Sequence, residues 1–88
     1  MASFSATMFK SSAMGDKVIA GSGSFANISI DGRLSLAAAI EVARESFKKE
    51  AGADYMGFAI EKTSRFVDYK SPMIIDSELT AKEVLFLL

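Results

Sequence analysis

Apolar and polar residues alternate over residues 3–10. Phe4, Ala6 and Met8 fall on one side, and Ser3, Ser5, Thr7 and Phe9 on the other. A period of two predicts a half-buried strand. Residues 11–16, with Gly15, form a predicted loop. A long second strand follows over residues 17–30. Ala26, Ile28 and Ile30 alternate there against Phe25, Asn27 and Ser29, and Gly21-Ser22-Gly23 marks a bulge or bend. Asp31-Gly32 closes this strand with a turn.

The period then changes to that of a helix. Leu36, Ile40, Ala43 and Phe47 recur at i, i+4, i+7 and i+11, with Glu41, Arg44, Glu45, Lys48 and Lys49 opposite. Ser35 is suited to the N-cap and Gly52 to the C-terminal stop, which predicts a helix over 35–51. Glu45 precedes Lys49 by four residues, the favourable order for a helical ion pair. Met56, Phe58 and Ile60 alternate in a third strand. Beyond Pro72, Met73-Ile74-Ile75 can form a short edge strand. Thr80-Ala81-Lys82-Glu83 has the form of a capping box, which predicts a short C-terminal helix over about 78–87. The rival assignment for the apolar residues Val84 to Leu88 is a strand, because five apolar residues carry no decisive period.

The expected fold is therefore α+β with the order β-β-α-β. An antiparallel sheet of three strands, or of four if 73–75 joins its edge, is packed by one amphipathic helix, and a short C-terminal helix follows. One helix covers one face of such a sheet, leaving Phe9, Ile19 and Phe25 on the other. Either the C-terminal helix or a partner must cover them.

Composition narrows the chemistry. The chain has 88 residues, which predicts a single domain, and half of them are hydrophobic, too many for a disordered tail. It contains neither Cys nor His, which removes disulfides, thiol nucleophiles, imidazole bases and ordinary zinc or haem sites. No cofactor or metal is expected. The net charge of -1 and a pI near 5.3 do not describe a dedicated duplex-DNA binder. No apolar run approaches the roughly 20 residues that span a bilayer, and the N-terminal residues lack a basic and apolar leader, so a cytoplasmic protein without a membrane span is expected.

Candidate chemistry is sparse. Gly21-Ser22-Gly23-Ser24 opens a strand rather than a helix, unlike a phosphate-binding loop. The serines have no imidazole to activate them. No spacing of the carboxylates suggests two convergent acids on one element except Glu41 and Glu45, which lie on the solvated helix face. These observations lead to the expectation of no catalytic residue and no enzyme.

The most informative stretch is 62–70, where Lys62, Arg65 and Lys70 interleave with Phe66 and Tyr69. Such residues anchor protein interfaces, and the same set can meet bases and phosphates. Phe66 and Val67 can equally well belong to the core at a strand end. The expected partner-binding residues are Phe9, Phe25, Lys62, Arg65, Phe66, Tyr69 and Lys70.

The order strand, Asp31-Gly32 turn, helix 34–51 and strand Tyr55-Met56-Gly57-Phe58-Ala59-Ile60-Glu61-Lys62 resembles the layout of small phage-encoded host-takeover proteins. These include inhibitors of bacterial RNA polymerase, of nucleases and of CRISPR effectors. The likeness covers about residues 17–66 and lies in element order and size, so no residue role is carried over. It implies a protein that occupies a functional surface of a host machine without chemistry. The first expectation is thus a non-enzymatic module that occupies or bridges a protein partner. The alternatives are a small nucleic-acid-binding module using Lys62, Arg65 and Lys70, and a homo-oligomeric subunit closed by edge-strand pairing or by the tail.

Overall fold

The computed structural model describes residues 3–11, 18–21, 26–63, 72–80 and 83–86. The chain is α+β. Strand β1 (Ser3–Ser11) is central and is followed by β2 (Val18–Ala20), β3 (Asn27–Asp31), helix α1 (Leu36–Ala51), a single 3-10 turn (Gly52–Asp54), β4 (Phe58–Thr63), β5 (Met73–Ile75) and β6 (Val84–Phe86).

The second strand foreseen over 17–30 is two strands in one line. Both β2 and β3 pair antiparallel with the same edge of β1, in registers joined at Met8. Met8 donates its N–H to the Ala26 carbonyl at 2.7 Å, and its carbonyl accepts from the Gly21 N–H at 3.2 Å. One residue of β1 thus spans the whole interval from 21 to 26, an interruption larger than a simple bulge. The other edge of β1 pairs antiparallel with β4, and β4 with β5. Because β3 and β4 flank β1 and both oppose it, they run parallel to each other, and α1 is the crossover between them.

The C-terminal segment corrects the sequence reading: Val84–Phe86 is a strand, not a helix. It pairs parallel with β2, Val18 opposite Val84 and Ala20 opposite Phe86. The capping-box residues make their local hydrogen bonds in a turn instead. Glu83 donates its N–H to the Thr80 carbonyl at 3.0 Å, and the Thr80 hydroxyl donates to the Glu83 carboxylate at 3.1 Å.

Helix α1 begins and ends where its residues dictate. The Ser35 hydroxyl accepts from the Ala38 N–H, and Gly52 adopts φ 58, a conformation that favours glycine. The buried positions are Ala39, Ala43 and Phe47. Leu36, expected in the core, is 42% exposed, and the first buried position of the helix is Ala39, three residues on. Arg44, rather than the Glu45–Lys49 pair, carries the helix's ion pairs, with Glu41 and Asp76.

Two apolar clusters lie on opposite faces of the sheet. Under the helix, Phe4, Ala6, Met8, Ile30, Phe58 and Ile60 pack on Ala39, Ala43 and Phe47. The Phe47 and Phe58 rings meet at 5.3 Å, tilted by 55°. On the far face, Phe9, Val18, Ala20, Ala59 and Val84 form a second cluster, with Ile74 and Leu79 against it. Phe9 is 1% exposed. It is therefore a core residue and not the exposed anchor expected from the sequence. Alternation correctly put it opposite Phe4, but the strand at 84–86 helps to cover that face.

Candidate functional site

Three places concentrate side-chain chemistry or exposed apolar surface. The first is a polar latch between α1 and the segment after β5. Asp76 sits at φ 59, an uncommon conformation for a residue other than glycine. Its carboxylate accepts from Arg44 Nε at 2.8 Å and Nη2 at 3.1 Å, and from the Tyr55 hydroxyl. Arg44 also donates to Glu41, and Lys48 Nζ lies 5.6 Å from the centre of the Tyr55 ring. The Arg44 guanidinium, seconded by the Tyr55 hydroxyl, holds the Asp76 carboxyl below the usual carboxylate range. Partial burial, then the adjacent Asp76 charge, raises the Tyr55 phenol above its ordinary value. The Arg44 guanidinium is held more firmly protonated by Asp76. These bonds fasten the segment after β5 to the helix and to Tyr55.

Gly57 supports the same corner. It stands opposite the end of β5 at φ 97, and a Cβ there would lie 2.5 Å from the Ile75 carbonyl oxygen. Only glycine permits this approach.

The second place is an open groove of about 670 Å³ between the end of β1 and the C-terminal end of α1. Met8, Phe9 and Met56 supply apolar walls, and Lys10, Glu50 and Asp54 are among its polar lining. Among the described residues, no polar or charged side chain is buried and no group of three or more acidic side chains is placed to hold a metal ion. No helix among them is long and apolar enough to cross a membrane.

The third place is the outer edge of β3. Since Met8 bonds to Ala26, the ladder directs the main-chain groups of Ala26, Ile28 and Ile30 toward β1. Those of Asn27, Ser29 and Asp31 therefore point away from the sheet. β6 shields the corresponding edge of β2, but among the described residues no strand pairs with the outer edge of β3. The opposite rim differs. Phe9 donates to the Gly57 carbonyl, so Ile75 and Met73 bond to β4 and only Ile74 turns its main chain outward, next to Pro72, which has no N–H.

The surface around β3 is mixed. On the sheet face away from the helix, Ser5, Thr7, Asn27, Ser29 and Glu61 form a polar strip, in which the Asn27 amide donates to Ser5 Oγ at 3.2 Å and to Thr7 Oγ1 at 2.8 Å. On the helix side, α1 packs over β3 and β1. Val42 lies two residues from Arg44, hence about 200° around the helix axis. Arg44 reaches toward Asp76, so Val42 stands on the flank toward β3, 45% exposed. Leu34 and Leu36 are exposed just before it in the chain.

Of the seven expected partner-binding residues, Phe9 is buried, and Lys62 is exposed with its Nζ 5.4 Å from the centre of the Phe4 ring. Phe25, Arg65, Phe66, Tyr69 and Lys70 lie outside the described residues. The Arg44–Tyr55–Asp76 latch and the β3 edge were not foreseen. The latch joins positions 32 apart with no local spacing to announce it. The edge follows from which strand β6 chooses. Neither a family model, nor a curated protein, nor a solved structure matches this chain.

Proposed function

We propose that this chain is a non-enzymatic protein-binding module that acts by occupying or bridging a partner surface. Its contact surface is the outer edge of β3 with the adjoining Val42 flank of α1. An inhibitor of a host macromolecular machine is one form this activity takes. The observation that supports the reading is the unequal treatment of the two sheet rims. β5 is short and preceded by Pro72, with one outward residue, whereas β3 offers the outward main chain of Asn27, Ser29 and Asp31 with no Pro, Lys or bulge among its five residues. Native sheets usually blunt such an edge. An added strand would gain main-chain hydrogen bonds along it and apolar contact with Val42, the common mode of strand addition.

Ser29→Pro tests this. The Ser29 N–H points outward, so proline removes no bond to β1 but blocks an incoming strand. In a binding assay with the immobilised chain against extract of its native host, Ser29→Pro should lose the captured protein while Glu61→Ala keeps it. Retention by a folded Ser29→Pro variant refutes the β3 edge as the contact surface.

A further inference from the structure

We infer that the occupant of the β3 edge is a second copy of this chain, paired β3 to β3 antiparallel about a two-fold axis at Ser29. The inference rests on the reading of this edge as the contact surface and names its partner.

The strand Asn27-Ile28-Ser29-Ile30-Asp31 is complementary to itself in that register. Ser29 falls opposite Ser29, Ile28 opposite Ile30, and Asn27 opposite Asp31. Each isoleucine meets an isoleucine on the helix side, and each polar residue meets a polar one on the other. The outward main chain is in the correct phase. The two Ser29 residues exchange a pair of N–H to carbonyl bonds, and each Asp31 N–H reaches the Asn27 carbonyl of the mate. The Asp31 carbonyl itself already accepts from the Leu34 N–H at 3.2 Å, so the pairing ends at the turn.

The helices fit the same symmetry. A two-fold axis normal to the sheet places both copies of α1 on one face. Strands lie about 4.8 Å apart. A helix above the gap between β1 and β3 therefore stands roughly 10 Å from its mate, the ordinary distance for packed helices. The flanks that meet are those carrying Val42, one of the most exposed large apolar residues described. The Arg44–Asp76 latch lies on the far flank of each copy and is undisturbed.

The full chain should have twice the 9.4 kDa monomer mass by light scattering, with dissociation on dilution. Ser29→Pro should give the monomer mass with unchanged circular dichroism. The chain has no cysteine, so Ser29→Cys introduces a single thiol opposite its own symmetry mate. Mild oxidation should cross-link it in high yield, whereas Glu61→Cys, two strands inward, should not cross-link. The Cys pair keeps the test decisive if the proline variant fails to fold. A wild-type chain at 9.4 kDa throughout overturns the inference, as does equal cross-linking of the two Cys variants. If the wild type is monomeric but Ser29→Pro still loses a captured host protein, the self-pairing is wrong and the β3 edge as a binding surface stands.

Discussion

Replacing Phe9 by Ala separates a packed aromatic from a surface anchor. Phe9 is 1% exposed and is the largest residue of the cluster it shares with Val18, Ala20, Ala59 and Val84. Truncating a buried Phe to Ala costs about 3–5 kcal/mol, the spread reflecting how far the site collapses or floods. The other buried members of its cluster are valines and alanines, small neighbours that leave fewer contacts to lose, so the lower end, about 3 kcal/mol, is expected. A chain of 88 residues has a total stability of about 4–13 kcal/mol at ordinary values per residue. The substitution thus removes a quarter to most of it. The midpoint of thermal unfolding should drop by about 12–24 °C, at 4–8 °C for each kcal/mol. Urea unfolding followed by far-ultraviolet circular dichroism gives the free energy directly. Met73→Ala, at a residue 47% exposed on β5, is the control and should cost less than about 1 kcal/mol. A loss below about 1 kcal/mol for Phe9→Ala, equal to the control, would refute the second cluster as a core and return Phe9 to the surface.

Gly57→Ala should destabilise by about 1–3 kcal/mol in the same urea assay, since the residue combines φ 97 with a blocked Cβ position; Gly21→Ala, which meets only the flexible Lys10 side chain, should cost less. Ser35→Ala removes the acceptor for the Ala38 N–H and should cost about 1 kcal/mol, with lost helical signal at high temperature. Asp76→Asn should flatten the acid limb of stability. The folded Asp76 carboxyl is held below its ordinary 3.8, so its contribution is complete above that value and is lost as pH falls through the lower folded value. Solvent screening limits the effect to about 1 kcal/mol, and an identical acid limb in variant and wild type would show the latch to be energetically idle. The Tyr55 phenol has the opposite sign. Its folded value is raised above 10.0, so stability should hold below pH 10 and decline above it, by less in Tyr55→Phe.

The helix and central strand were legible because their signals are local. The Ser35 cap, the Gly52 stop and the spacing of Ala43 and Phe47 lie within one element, and alternation from Phe4 to Met8 needs no neighbour. The break near Gly21 was legible too, since a glycine-rich stretch cannot pair regularly. What failed was partner choice. Thr80 and Glu83 bond each other in a turn, through the Glu83 N–H to the Thr80 carbonyl and the Thr80 hydroxyl to the Glu83 carboxylate, so the Thr-x-x-Glu spacing of a capping box does not distinguish a helix start from the approach to a strand. The apolar tail has no period, and only Val18–Ala20 as a neighbour makes 84–86 a strand. The error over Phe9 follows: alternation assigns a side chain to a face but cannot tell which faces are covered. Arg44 and Asp76 were each visible as exposed charges, yet their pairing depends on a chain reversal 32 residues long.

The parallel pairing of β2 with β6 carries a kinetic cost. Val18 and Val84 are 66 positions apart, whereas β1 and β3 pair residues such as Thr7 with Asn27, 20 apart, and α1 follows β3 directly. Closing so long a loop is entropically expensive and slows folding without being repaid until Val84 docks. The helix-covered half should therefore assemble first and β6 dock last. In the native state the order reverses: amide exchange should be fastest to reach β2 and β6 by sub-global opening, and slowest at Phe58 and Ile60. Each such opening uncovers Phe9 while the helix layer stays folded.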